Sequence, residues 1–110
     1  AMILVDMIGE RGARFQRESS STSWLKDIIW AAAKTAGHGA FFPDTETPIE
    51  DDHYPFLAAG VPAVDIIDLD YYPHWHEATD TLDKLDVRSL QAVGDTLLAA
   101  YPAIEQRLLR

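Results

Sequence analysis

The chain has 110 residues, 47% apolar, 25% charged and 10% aromatic, the size and balance of one globular domain rather than of a disordered tail. Eighteen acidic against nine basic residues give a net charge of −9, a surface that repels a phosphate backbone and so excludes nucleic acid as an expected partner. There is no cysteine, which excludes disulfides and thiolate metal sites and leaves His, Asp and Glu as the metal donors.

Apolar runs such as Ile28–Ala33 fall far short of the roughly 18–20 residues that a bilayer-spanning helix needs, so no membrane partner is expected. No signal-peptide pattern opens the sequence.

In chain order, Met2-Ile3-Leu4-Val5 is an unbroken apolar run with β-branched members, closed by Asp6-Met7-Ile8-Gly9. It reads as a strand buried on both faces, of the kind found inside parallel sheets. Such a strand needs neighbours on either side and layers above and below it, and a domain seldom opens on one. The expectation is that residues 1–110 are one domain, the C-terminal part of something larger.

Glu10–Ser23 is polar, and its Ser19-Ser20-Ser21-Thr22-Ser23 run offers helix N-caps. A helix over 23–36 follows, with Trp24, Ile28, Ala31 and Thr35 on one stripe and Gly37 placed as the glycine that ends it. His38–Glu50 reads as loop in which Phe41-Phe42 form a short strand or an anchor, and His38 as a loop residue. A short helix is expected from Asp51, its cap, through Ala59, with Pro55 in the tolerated first turn. Val61–Leu69 reads as a second buried strand, with Asp65 and Asp68 unusual inside it. Tyr71–Thr81 is a loop dense in aromatics, histidines and hydroxyls. A long amphipathic helix begins near Asp86, carried by Leu90, Val93, Leu97, Tyr101, Ile104 and Leu108, with Pro102 the place for a bend. Strand, helix, short helix, strand and long helix make an α/β fold.

Three places put polar, metal-competent residues at the ends of these strands, where α/β sheets usually bind ligands. Asp6 ends the first strand, and is equally readable as a turn-capping aspartate. Glu50-Asp51-Asp52-His53 opens the short helix, where acids also serve as solvated caps. Three adjacent carboxylates repel one another, however, and are easier to hold if one shares a proton or faces a cation. In the third place, His74 and His76 stand at i and i+2 and face one side if the segment is extended, although His-x-His alone is a weak motif and one ligand is the simpler reading. His53, His74 and Asp52 read as structural.

Four segments in order resemble the zinc-dependent exopeptidase superfamily of aminopeptidases and glutaminyl-peptide cyclotransferases. They are Leu4–Gly9, Ile49–Leu57 with Glu50-Asp51-Asp52-His53, Gly60–Ile67 with Gly60-Val61-Pro62, and Trp75–Leu85 with Trp75-His76 and Asp80-Thr81. The resemblance covers nearly the whole chain. The Trp before the histidine, and Asp-Asp-His where two-zinc aminopeptidases tend to have Ser-Asp-His, resemble the glutaminyl cyclase branch.

The resemblance implies a partial zinc-exopeptidase-type fold of mostly parallel strands flanked by helices, truncated on its N-terminal side. Position by position it implies His76 as a zinc ligand. Asp6 becomes either a second-zinc ligand or, with Asp51, a member of an acidic hydrogen-bond network. Trp75 and Tyr71 become walls of the substrate pocket, and Glu50 a polar pocket residue.

The family's further Asp or His ligand and its Glu-Glu pair, one a general acid/base, normally lie upstream of the first strand, and the sequence shows no such segment. Zinc is thus implied for the complete enzyme and expected to bind weakly or not at all to this fragment, which is expected to be inactive. The implied reaction converts a peptide N-terminal glutamine to pyroglutamate. The α-amine attacks the side-chain amide while zinc polarises its carbonyl and the glutamate moves the proton. The alternatives are a two-zinc aminopeptidase and a noncatalytic domain of the same fold. A half-sheet has open edges and faces, so homo-oligomerisation is expected. Relatives are commonly exported, which implies a periplasmic or secreted protein.

Overall fold

The computed structural model describes residues 1–110. Two strands form the central sheet, β1 (Met2–Asp6) and β4 (Ala63–Ile67), paired in parallel from Met2 beside Ala63 to Asp6 beside Ile67. Between them the chain runs through β2 (Arg17–Glu18), α1 (Ser23–Thr35), β3 (Glu46–Thr47) and α2 (Tyr54–Ala58), and it closes with α3 (Val87–Leu108). The two-residue strands β2 and β3 pair in parallel with each other. The result is the expected α/β class with a parallel sheet.

Side chains alternate across a strand, so Ile3, Val64 and Ile66 share one face of the sheet and Leu4, Asp6 and Asp65 the other. The first face builds the core. Val64 and Ile66 join Leu25, Ile29, Trp30 and Ala33 of α1 and Val93, Ala100 and Ile104 of α3 in one buried cluster. Phe15 and Phe42 plug the end of this layer with ring centroids 5.2 Å apart, and the Trp30 indole, edge-on to Phe42, donates to the Pro43 carbonyl at 2.9 Å. Each such fully buried apolar side chain contributes about 1.5–3 kcal/mol. His38, expected to be a plain loop residue, ties α1 to α3 through Asp95 at 2.9 Å.

Several local expectations are corrected. β1 is half-buried rather than buried on both faces, with Val5 42% exposed, because its outer edge carries no neighbouring strand. β4 is fully buried, and its far edge is covered by the segment before α1, where Ser21 Oγ and Thr22 Oγ1 accept the Asp65 and Ala63 N–H groups. The hydroxyl run therefore does not cap α1: Thr22 stands at the cap position with its side chain turned to β4. Gly37, at φ +83°, follows α1 as expected. Phe41 lies in a single helical turn, Gly39–Phe41, not a strand. Asp51 does not cap α2, whose cap position is His53. Asp86 does cap α3, accepting the Arg88 N–H at 2.9 Å. α3 continues through Pro102, which has no N–H for the Leu98 carbonyl, on the exposed side of the helix where Leu98 lies. No helix is long and apolar enough to cross a membrane.

Candidate active site

Both central strands end at a cleft of about 360 Å³. The chain leaving β1 contributes Asp6, Met7, Gly9 and Glu10, and the loop after β4 contributes Tyr72, Trp75, His76 and Asp80. Two non-glycine residues here are left-handed, Met7 at φ 54° and His76 at φ 59°. Such conformations cost energy and cluster where structure is held for a purpose. At Met7 the turn leaves Asp6 at the mouth of the strand. At His76 it lays the imidazole against the Trp75 indole, centroids 3.9 Å apart and planes 18° from parallel. The loop turns twice, through Glu77 N–H to the His74 carbonyl and Asp80 N–H to the Glu77 carbonyl. It is therefore not extended, and His74 is spent on Thr79 Oγ1 at 2.7 Å instead of facing one metal with His76.

Behind Asp6 lies a cluster of carboxylates on the polar face of the sheet. Burial and then the Asp51 carboxyl raise the pKa of Asp6. Asp65, fully buried, is pushed up to about 8 by burial, then by Asp51, Asp6 and Glu18. Asp51 Oδ2 and both Asp65 oxygens are buried without an N–H or O–H partner. Carboxylates packed this way keep a proton among them rather than ionise together.

Asp65 is backed by His53, fully buried, with Nδ1 3.5 Å from Asp65 Oδ2 and Nε2 2.6 Å from Glu18 Oε1. Burial alone would raise Glu18. Four donors outweigh it and hold its pKa at about 2: Ser20 Oγ and N–H, the Ile49 N–H and Ser21 Oγ. This is the use of the serine run.

Of the residues singled out from sequence, Asp6, Trp75 and His76 line the cleft, and Asp51 adjoins Asp6 behind it. Tyr71 does not line it: its ring lies under the Arg14 guanidinium at 4.9 Å, and Tyr72 takes the lining position. Glu50 is exposed and outside the lining. Sequence reasoning missed Glu10, Glu18 and the role of Asp65. The signal available was an acid inside the apolar run Val64-Asp65-Ile66-Ile67. A wider groove of about 480 Å³, around Arg11, His38, Asp86 and Arg88, has no comparable cluster, since Asp86 is taken by Arg88.

Zinc at a catalytic centre is ordinarily held by three protein ligands. No group of three His, Cys, Asp or Glu in the chain is placed to hold a metal ion, so these residues do not by themselves form such a centre.

The profile of peptidase family M28 matches residues 1–101. The chain belongs to peptidase family M28. Its fold is similar to the crystal structure of an Acidobacteriales bacterium glutaminyl cyclase, 44% identical, with a TM-score of 0.89 over 96% of this chain and 39% of that one. It is also similar to a leucine aminopeptidase precursor from Bacteroides thetaiotaomicron, 36% identical, with a TM-score of 0.82 over 89% of this chain and 36% of that one. Among curated proteins it is 39% identical over 57 residues to a mouse glutaminyl-peptide cyclotransferase-like protein, covering 49% of this chain and 15% of the relative. The M28 chain thus spans well under half the length of the relatives it matches. Its glutaminyl cyclase-like relationship and its parallel α/β fold agree with the reading of the sequence.

Proposed function

We propose that this chain carries part of the active site of a glutaminyl-peptide cyclotransferase, and that it is inactive alone. The reading rests on one observation, the Asp6–Asp51–Asp65 cluster opening on a cleft walled by Trp75 and His76. In cyclisation the α-amine of an N-terminal glutamine forms a bond to its side-chain carbonyl carbon, and ammonia leaves. One proton must pass from the attacking nitrogen to the departing one. A carboxyl group next to other carboxylates holds a proton near neutral pH, which suits a group that takes and returns it. In this reading that group is the glutamate that the complete enzyme supplies, Asp6 and Asp51 hold and tune it, and Trp75 offers a flat apolar wall to the substrate. Zinc belongs to the complete enzyme in this reading, with His76 one of its ligands.

The similarity to an aminopeptidase precursor keeps peptide-bond hydrolysis as the second reading. The experiment is a chimera in which residues 1–110 replace the matching segment of the Acidobacteriales glutaminyl cyclase. Loss of ammonia from an N-terminal glutamine peptide, abolished by Asp6→Asn or Asp51→Asn, supports the proposal. A folded chimera that instead releases the N-terminal residue establishes the aminopeptidase reading, and a folded, inert chimera a noncatalytic domain.

A further inference from the structure

A second acidic pair lies outside the cluster used above. Asp68, the residue after β4, is fully buried, and Glu10, on the chain leaving β1, is half-buried beside it. The two carboxyls are within hydrogen-bonding reach, and Asp68 Oδ1 also accepts the Arg14 N–H at 3.3 Å. Asp68 Oδ2 and Glu10 Oε2 are both buried and have no donor. Buried acceptors without donors cost free energy, and one proton held between two carboxyls satisfies both at once.

No cation competes for this role. Arg11 donates to the Asp83 carbonyl, Arg14 is stacked on Tyr71, and Arg88 of α3 is held by Asp86. Of the acids on neighbouring elements, Asp6 and Asp65 belong to the other cluster, Asp70 accepts from Gln16, and Asp80 accepts from the Tyr72 hydroxyl. The His76 imidazole, on the same loop as Asp80, lines the same cleft as Glu10. Among them Glu10 is the one charged group acting on Asp68, which burial first and then Glu10 raise to about 8.

The position of the pair gives it a consequence. Glu10 is anchored on its own side by a bridge to Leu85 and by Ser89 Oγ of α3, which donates to its carbonyl. Asp68 begins the loop that carries Tyr72, Trp75 and His76. Four ties join residues 10–16 to Asp68 and this loop: Gln16 to Asp70 at 3.0 Å, Arg14 over Tyr71, the Arg14 N–H to Asp68 Oδ1 at 3.3 Å, and Glu10 to Asp68. The first two are exposed, whereas the two that end on Asp68 are shielded, and of these only the Glu10 contact joins two side chains whose oxygens are buried without a donor. We infer that Glu10 and Asp68 share a single proton, and that this pair is the clamp positioning the 69–81 loop, with Trp75 and His76, over the end of β1. They are positioning residues, and the inference does not depend on the reaction proposed above.

The test is the pH dependence of the Trp75 indole and His76 ring resonances in the NMR spectrum of this chain. Removing the shared proton sets two carboxylates against each other, so the loop is released with a midpoint near 8. Above it the released population grows about tenfold per pH unit. Glu10→Gln gives Asp68 an amide donor that does not titrate, and this variant is expected to keep the loop in place with no step. Asp68→Asn is the second variant, with the same expectation. Asp65 ionises in the same range, so a step that survives in both variants belongs to that cluster and overturns the inference. So does a wild-type loop with no step near 8. Calcium at near-stoichiometric concentration removing the step overturns it too, because the pair is then a cation site.

Discussion

Asp65→Asn is the substitution that tests the acidic face of the sheet most directly. In the folded chain Asp65 is fully buried, and burial, then Asp51, Asp6 and Glu18, move its pKa from 3.8 to about 8. A carboxyl raised in this way binds its proton more tightly folded than unfolded. Its favourable contribution is therefore complete below its ordinary value and is lost as pH rises through about 8. Between those limits the native state holds about one extra proton, which lowers stability by about 1.4 kcal/mol per pH unit. Asp68, also at about 8, adds a second proton, so the wild type is expected to fall by about 2.7 kcal/mol per unit through neutrality. An asparagine side chain keeps the shape without the ionisation and halves that slope. With relaxation and screening discounted, Asp65→Asn is expected to exceed the wild type by about 2–4 kcal/mol near pH 8, and the gain to vanish near pH 4. Urea unfolding followed by circular dichroism from about pH 4 to about pH 9 measures both profiles. A flat wild-type profile, or a variant less stable than wild type throughout, refutes the reasoning.

Glu18→Gln carries the opposite sign. The Glu18 pKa is lowered from 4.5 to about 2, so its contribution is present above the ordinary value and lost as pH falls toward 2. The substitution leaves one acceptor oxygen and sets an amide NH2 where Oε2 accepts the Ser20 and Ile49 N–H groups, and it removes the charge beside His53; it is expected to cost about 2–3 kcal/mol at neutral pH, a deficit that closes in acid unfolding curves. Self-association is proposed from the open edge of β1 and from exposed Val87 (76%), Leu98 (78%) and Tyr101 (62%) on α3. Static light scattering at tens of micromolar is expected to give more than the monomer mass, and a monodisperse monomer ends that proposal.

What the sequence made legible was periodicity and order. The stripe from Trp24 to Thr35 gives α1 within a residue, and the spacing from Leu90 to Leu108 gives α3 with Asp86 at its cap. Parallel pairing followed from two apolar strands with a helix between them. The half-burial of β1 was not legible, because a strand's pattern reports the faces it is built to cover, whereas exposure depends on the neighbours that are present. The elements that resisted reading were side chains with two possible uses. Ser20 and Ser21 are as good for capping a helix as for binding a carboxylate, and only the fold brings Glu18 to them and His53 to Glu18 across 35 positions of sequence.

The same limit explains the candidate site. Asp6 was visible because it ends an apolar strand, whereas His76 stood apart from His74 only through the family resemblance. Asp65 looked anomalous because an acid inside an apolar strand must pay for burial, and its use depends on Asp51, Asp6 and His53 arriving on the same face. An alternation of two places Asp65 and Asp6 together once the register of β1 against β4 is known, and that register is a tertiary fact. The acids of lowest local plausibility, Asp65 and Asp68, are the two whose protons the fold holds near neutral pH. An anomaly in pattern thus marked the places where the sheet stores a proton, while the identity of the partner in each case, Asp51 for one and Glu10 for the other, came from packing alone.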